Sequence, residues 1–418
     1  MEKAKRFVDP LPPRAVTSID HKSETDPRDV GLTALGVNAI WKSVEQCYLS
    51  GTHPAISVCV RHRGQIIINR AIGHTHGNAP GDPANAEKRQ ATPDSLFNLF
   101  SASKAIAAVI IHHLDERGLI NLEDPLCQYL PEFSEGSKQH ITIRHLLLHQ
   151  AGMPTIPKAA LDLDKLHTQG EVKKELANMP LKWQAGRRTA YHAVTAGFLM
   201  GELVEVASGL TIREYLDRYF LQPLGFNTFN FGVPDELVAD VAPNTFTGRP
   251  LPYPLEKLAQ RILGVSYQEA IDLSNDHRFL TGIVPAANII GTAEETSRFY
   301  ELLLREGTLD NVQVLKPHTV RRAVAEQVNT RLDRSLGIPM RYSLGFMLGR
   351  PRFSLYQGHT PRAFGHLGLI NITGYADPDR DISVAILNNG KPGLAKGSFE
   401  FLKIMRSIAE NIPSQMHS

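Results

Sequence analysis

The sequence predicts an α+β fold: a central antiparallel β-sheet flanked by terminal helices, with a mostly helical subdomain inserted into it. Three observations predict this. Ile56, Val58 and Val60 alternate with Ser57 and Cys59, the period of a strand, and an Arg63-Gly64 turn leads back into a second extended run over residues 65–71. Near the other end, extended runs over 369–375 and 382–387 flank Asp377-Pro378-Asp379-Arg380-Asp381, which has the chemistry of a turn. Between these hairpins the apolar residues recur mostly at helical spacing.

Residues 1–33 are polar and contain Pro10, Pro12, Pro13 and Pro27, so an extended arm is expected ahead of a single domain over 34–418. Val37, Ile40, Trp41, Val44 and Tyr48 mark an amphipathic helix over about 35–49, stopped by Gly51. Residues 73–94, rich in Gly, Pro, Asn and Asp, read as loop. A helix follows Ser101 to about Arg117, with Gly118 as its C′ residue. Thr142 caps a helix carrying Ile143, Leu146, Leu147 and Leu148, and Gly152 ends it. Helical runs are expected at 170–178, 192–208, 211–220, 292–305 and 317–326, and a last helix at 398–411. Residues 232–282 read as more loop and helix, with element bounds that the sequence leaves open. The sheet part of the domain then covers about 34–75 and 335–418, and the helical part about 95–330.

The chain has 418 residues, a formal charge of +2 and 42% apolar residues. That is ample for a large core, and near-neutrality argues against a nucleic-acid or membrane-surface partner held by bulk charge. Three cysteines, Cys47, Cys59 and Cys127, without C-x-x-C spacing, read as a reduced chain, and a cytoplasmic location is expected. No apolar segment follows the charged run 1–6 as a secretory signal requires, and the longest apolar run, 105–111, is too short to cross a bilayer.

Chemistry concentrates at Phe100-Ser101-Ala102-Ser103-Lys104. Ser101 and Lys104 stand at i and i+3 of a helix start, on one face. A serine hydroxyl needs a neighbouring base to act as a nucleophile. A lysine is such a base once burial lowers its pKa, and Leu99, Phe100, Ala105, Ile106, Val109 and Ile110 supply that burial. Read without context, a Ser-x-x-Lys string recurs by chance and Ser103 reads as a helix cap. Two further stretches look like partners. Trp183 to Ala193 sets Tyr191 between a glycine turn and an apolar helix, where a phenol near a cation serves as base or acid. Ala363-Phe364-Gly365-His366-Leu367-Gly368-Leu369 enters the last hairpin through two glycines, which let a ligand approach backbone N–H groups. His145 and His149 have an i, i+4 zinc spacing, but no Glu follows His145, and structural packing is the reading kept. No G-x-S-x-G elbow, phosphate loop or dinucleotide fingerprint is present.

In their order, the S-x-x-K of Ser101 and Lys104, the Tyr191 motif and the His-x-G strand resemble the serine β-lactamase-like superfamily, closest to class C β-lactamases, DD-peptidases and family VIII carboxylesterases. The stretches 141–152 and Gln222-Pro223-Leu224-Gly225 are similar to family segments as well. The resemblance implies Ser101 as acylated nucleophile, Lys104 as its base and Tyr191 as second base and proton donor. It also implies an oxyanion hole from the N–H groups of Ser101 and Leu369, and substrate contacts from His366, Gly368 and Trp183. No cofactor and no metal are implied. Ala193 stands where the lactamases carry Asn, and His366 where they carry Lys. Both departures favour a small-molecule ester over a β-lactam. A serine hydrolase, specifically a carboxylesterase, is therefore expected. The alternatives are an acyltransferase of the same fold, a β-lactamase or DD-peptidase, and a non-catalytic binding protein. His192 is expected at the surface.

Overall fold

The computed structural model describes residues 6–156, 161–167, 170–393 and 396–415. Its fold is the α+β arrangement expected. The ten strands of its main sheet are β1 (Thr17–Ile19), β2 (Ala55–His62), β3 (Gln65–His76), β4 (Arg89–Gln90), β5 (Val328–Leu332), β6 (Pro339–Tyr342), β7 (Met347–Leu348), β8 (Phe364–Leu367), β9 (Thr373–Asp377) and β10 (Ile382–Asn388). The sheet runs β1-β3-β2-β10-β9-β8-β7-β6-β5, with β4 on the far end of β3. All its pairings are antiparallel. The two hairpins meet at β2 and β10, where Ile56 faces Asn388 and His62 faces Ile382.

The alternation that predicted β2 now has its physical reason. Ile56, Val58 and Val60 join a core with α1 (Ala34–Leu49) and the final helix Lys396–Asn411, through Val37, Ile40, Val44, Ile404 and Ile408. Ala55 and Cys59 point the other way, into the larger core that contains α2 (Ser103–Glu116), α3 (Thr195–Ser208) and α4 (Ala293–Leu304). The sheet is thus buried on both faces, and the small residues lie on the face that α4 approaches.

Three expectations change in detail, and a fourth gains its bounds. The arm contributes β1, paired with β3 from Thr17↔Ile72 to Ile19↔Arg70. The loop expected over 73–94 begins as strand, because β3 continues to His76 and pairs with β4. The extended run expected over 369–375 is strand only from Thr373. Ile370 (φ 42°) and Asn371 (φ 63°) are left-handed, and a strand cannot pass through them. Residues 232–282, expected as loop and helix without placed bounds, contain the helices Tyr253–Leu263, Tyr267–Leu273 and His277–Thr281. No single helix among the described residues is long and apolar enough to cross a membrane.

Candidate active site

The nucleophile candidate sits in a 3-10 turn, Phe100–Ala102, immediately ahead of α2. Phe100 is held at φ 47°, and its N–H donates to the Asn98 side-chain oxygen at 2.9 Å. A non-glycine residue is uncommon in this left-handed region, and such backbone concentrates at functional sites. Ser103 makes no capping bond. Its hydroxyl accepts from the Ile289 N–H at 2.9 Å, which pins the helix start to the strand Ile289–Gly291.

Lys104 is 2% exposed. Its Nζ lies 3.0 Å from Ser101 Oγ and donates to the Ala286 carbonyl at 2.8 Å. Burial pushes its pKa down to about 7, because the ammonium form has lost its water. A large fraction is then neutral near pH 7, with a lone pair free for the serine proton.

Tyr191 precedes α3. It is buried, its hydroxyl meets the Ser101 side chain, and its ring lies 5.1 Å from Lys104 Nζ. Its phenol pKa is raised, mainly by burial and further by the Asp333 carboxylate, while the Ser101 bond opposes the rise. The phenol is therefore protonated. The sequence suggested that a nearby cation would favour phenolate, but Lys104 gives up much of its own charge in the same dry site.

Asp333 escaped the sequence reading. Fully buried, it accepts from the N–H groups of Tyr191 (3.0 Å), Ser335 and Leu336 (both 2.9 Å) and from the Tyr342 hydroxyl (2.9 Å). It fixes the backbone that carries Tyr191. His149, left-handed at φ 56°, packs edge-on against Tyr191 at 4.8 Å and stacks on His192 at 5.8 Å. His192 is not at the surface but fully buried. Its Nε2 accepts from the Met153 N–H at 3.1 Å and its Nδ1 donates to the Ala190 carbonyl at 2.7 Å, which is the neutral ring. Burial pushes its pKa down to about 4. The His145 and His149 rings are likewise engaged within the fold: His145 Nδ1 accepts from Thr142 N–H at 3.1 Å, and His149 Nδ1 from His192 N–H at 3.3 Å.

His366 lies on β8, its ring centroid 6.0 Å from that of Tyr191. Its Nδ1 donates to the Leu367 carbonyl at 2.7 Å, while the buried Nε2 has no partner among the described residues. Burial, with the Lys104 charge adding, pushes its pKa down to about 3. The ring offers a bare acceptor and no positive charge. Gly368 and Leu369 lie beyond β8, in the turn at 368–372. Leu369 and Ser101 line one pocket, with Ala193, Phe198, Leu263 and Phe279 among its walls. No charged side chain is among the described residues lining it, and Trp183 is not part of the wall. The Trp183 ring instead faces the Arg188 guanidinium at 5.9 Å.

The sequence profile of the family described as Beta-lactamase matches residues 41–404. The chain is 29% identical over 311 residues to the "Esterase/beta-lactamase LipL" of Mycobacterium tuberculosis, covering 71% of this chain and 70% of that protein. It is 26% identical over 272 residues to "Esterase EstB" of Burkholderia gladioli, covering 60% of this chain and 65% of that esterase, just under two thirds of its length. A solved family VIII carboxylesterase superposes with a TM-score of 0.75 at 23% identity, over 90% of this chain and 98% of that one, and so shares the fold.

Proposed function

The chain belongs to the beta-lactamase family, and on that premise we propose that it is a serine hydrolase working through an acyl-enzyme, a carboxylesterase for small or medium acyl esters. The observation that carries this reading is the 3.0 Å contact between Ser101 Oγ and a desolvated Lys104 Nζ. In the proposed cycle neutral Lys104 takes the Ser101 proton as Oγ attacks the ester carbonyl. The carbonyl oxygen takes up the charge and is stabilised by the N–H groups of Ser101 and Leu369. Tyr191, a protonated phenol, passes its proton to the departing alkoxide and regains one from Lys104. Water then attacks the acyl-enzyme by the same route in reverse, releasing the acid and restoring Ser101. The cycle needs no cofactor.

An ester is favoured over a β-lactam by the pocket itself. A β-lactam carries a carboxylate, and an unpaired charge is costly in an apolar wall. Ala193 offers no amide to an acylamino group, and the neutral His366 ring offers an acceptor where a carboxylate needs a donor. The name of the Burkholderia gladioli relative supports the ester side, while that of the Mycobacterium tuberculosis relative names both activities. The test is a panel of p-nitrophenyl esters run beside nitrocefin, with fluorophosphonate labelling of wild type and Ser101→Ala. Ester turnover and labelling are expected in the wild type and neither in Ser101→Ala. Labelling that survives the substitution overturns the assignment, and nitrocefin turnover at the ester rate overturns the substrate class.

A further inference from the structure

The turn that carries Leu369 is held from below by a buried polar chain. Gly368 N–H donates to the Ile372 carbonyl at 2.8 Å, closing the turn. Inside it Ile370 and Asn371 are both left-handed, a conformation that asparagine tolerates but that is strained for the β-branched Ile370. The turn also presses on the nucleophile segment: a Cβ on Gly368 would stand 2.5 Å from the Leu99 carbonyl oxygen. Its height therefore sets the gap between Leu369 and Ser101. The Leu369 N–H donates to no carbonyl of the described fold.

The hold comes from residues remote in sequence. Asn371 Nδ2 donates to His53 Nε2 at 3.0 Å, and the Asn371 carbonyl accepts from Asn388 Nδ2. On its other side His53 Nδ1 lies 2.9 Å from Thr52 Oγ1. Thr52 Oγ1 lies 2.8 Å from Ser50 Oγ, and Ser50 Oγ donates to the Cys47 carbonyl at 2.6 Å. One set of proton positions satisfies every group: His53 Nδ1–H to Thr52, Thr52 to Ser50, Ser50 to Cys47. His53 Nε2 is then the acceptor that Asn371 requires. His53 is 1% exposed and its pKa is pushed down to about 3, mainly by burial, so the ring stays neutral and the direction of the chain does not invert.

We propose that His53 and Asn371 are positioning residues whose buried bond holds the 368–372 turn so that the Leu369 N–H faces the carbonyl oxygen of an acyl group on Ser101. This rests on the acyl-enzyme reading above. The test compares a p-nitrophenyl ester with its thionoester (C=S in place of C=O), since a hydrogen-bonding oxyanion hole favours oxygen over sulfur. In wild type the ester is expected to react far faster. In His53→Leu the ester kcat should fall about tenfold or more with KM little changed, the thionoester rate should hold, and the ester-to-thionoester ratio should collapse. Asn371→Gly, which keeps the left-handed backbone but loses the side-chain bond, should do the same and decides the matter if His53→Leu does not fold. His53→Gln, whose side-chain oxygen can accept from Asn371, should recover most of the ratio. An unchanged ratio in the folded variants, or an equal fall in both rates, overturns the proposal. A wild type inert to both substrates overturns the esterase reading instead.

Discussion

At the scale of single residues the protonation of Lys104 governs the proposed chemistry. Its pKa is lowered by burial to about 7, so the amine is charged and useless as a base below that pH and neutral above it. Ester kcat/KM is expected to rise with pH, half-maximal near 7, and a flat profile from pH 5 to 8 would refute the assignment of Lys104 as base. Lys104→Met should lower kcat/KM by roughly 10²–10⁴-fold and abolish that limb. Tyr191→Phe separates the second role. A p-nitrophenolate leaves without a proton and an alkoxide does not, so turnover of an ethyl ester should fall much further than that of a p-nitrophenyl ester. Equal losses would remove Tyr191 as the donor. Ser101 and Lys104 were legible in sequence because their contact is local, one helical turn apart. Asp333 was not: it reaches the Tyr191 N–H across 142 residues, and nothing in its own neighbourhood marks it. The Ala286 carbonyl that holds Lys104 is main chain and leaves no signature at all.

At the scale of elements, α3 shows how packing serves the site. Gly197 is an unfavourable residue inside a helix, by about 1 kcal/mol relative to Ala. Its reason is the loop opposite: a Cβ there would lie 2.5 Å from both the Ala286 nitrogen and its Cβ. Gly197→Ala must push the helix away from the loop whose carbonyl anchors Lys104. A stability loss of about 1–3 kcal/mol, read as a lowered Tm, and a drop in kcat are expected; an unchanged Tm would mean that the loop yields freely and the close approach has no structural weight. The same element-scale view explains what the sequence reading mistook. Leu369, Ile370 and Ile372 look like strand because they are apolar and partly β-branched, yet the turn at 368–372 is held by partners at His53 and Asn388 that local propensity does not contain. The helix Tyr253–Leu263 carries an apolar stripe at Leu255, Leu258, Ile262 and Leu263 and a left-handed Gly264 cap, yet none of its residues is fully buried, so the stripe marks a helix without marking a core.

At the scale of the molecule, the hairpins at the two ends were readable because each is closed by its own turn, and their meeting at β2 and β10 follows from two apolar strands that need a common core. The three-residue β1 is too short to show a period. The site forms where the parts converge: Ser101 and Lys104 at the head of α2, Tyr191 ahead of α3, and Leu369 beyond β8. Around it the chain is close to neutral, with a formal charge of +2, so no strong long-range field draws or repels an ion. Selection by charge must therefore be local, in a pocket lined by no charged side chain among the described residues. A pair of p-nitrophenyl esters of similar length, the butyrate and the half-ester of succinate, isolates this effect. The anionic ester has to bury a carboxylate without a partner, so its kcat/KM should be at least about tenfold lower, and the ratio should barely change between low and high salt because screening acts weakly on buried charges. An anionic ester turned over as fast as the neutral one would mean that the site supplies a cation after all, and the preference for neutral esters would then fall.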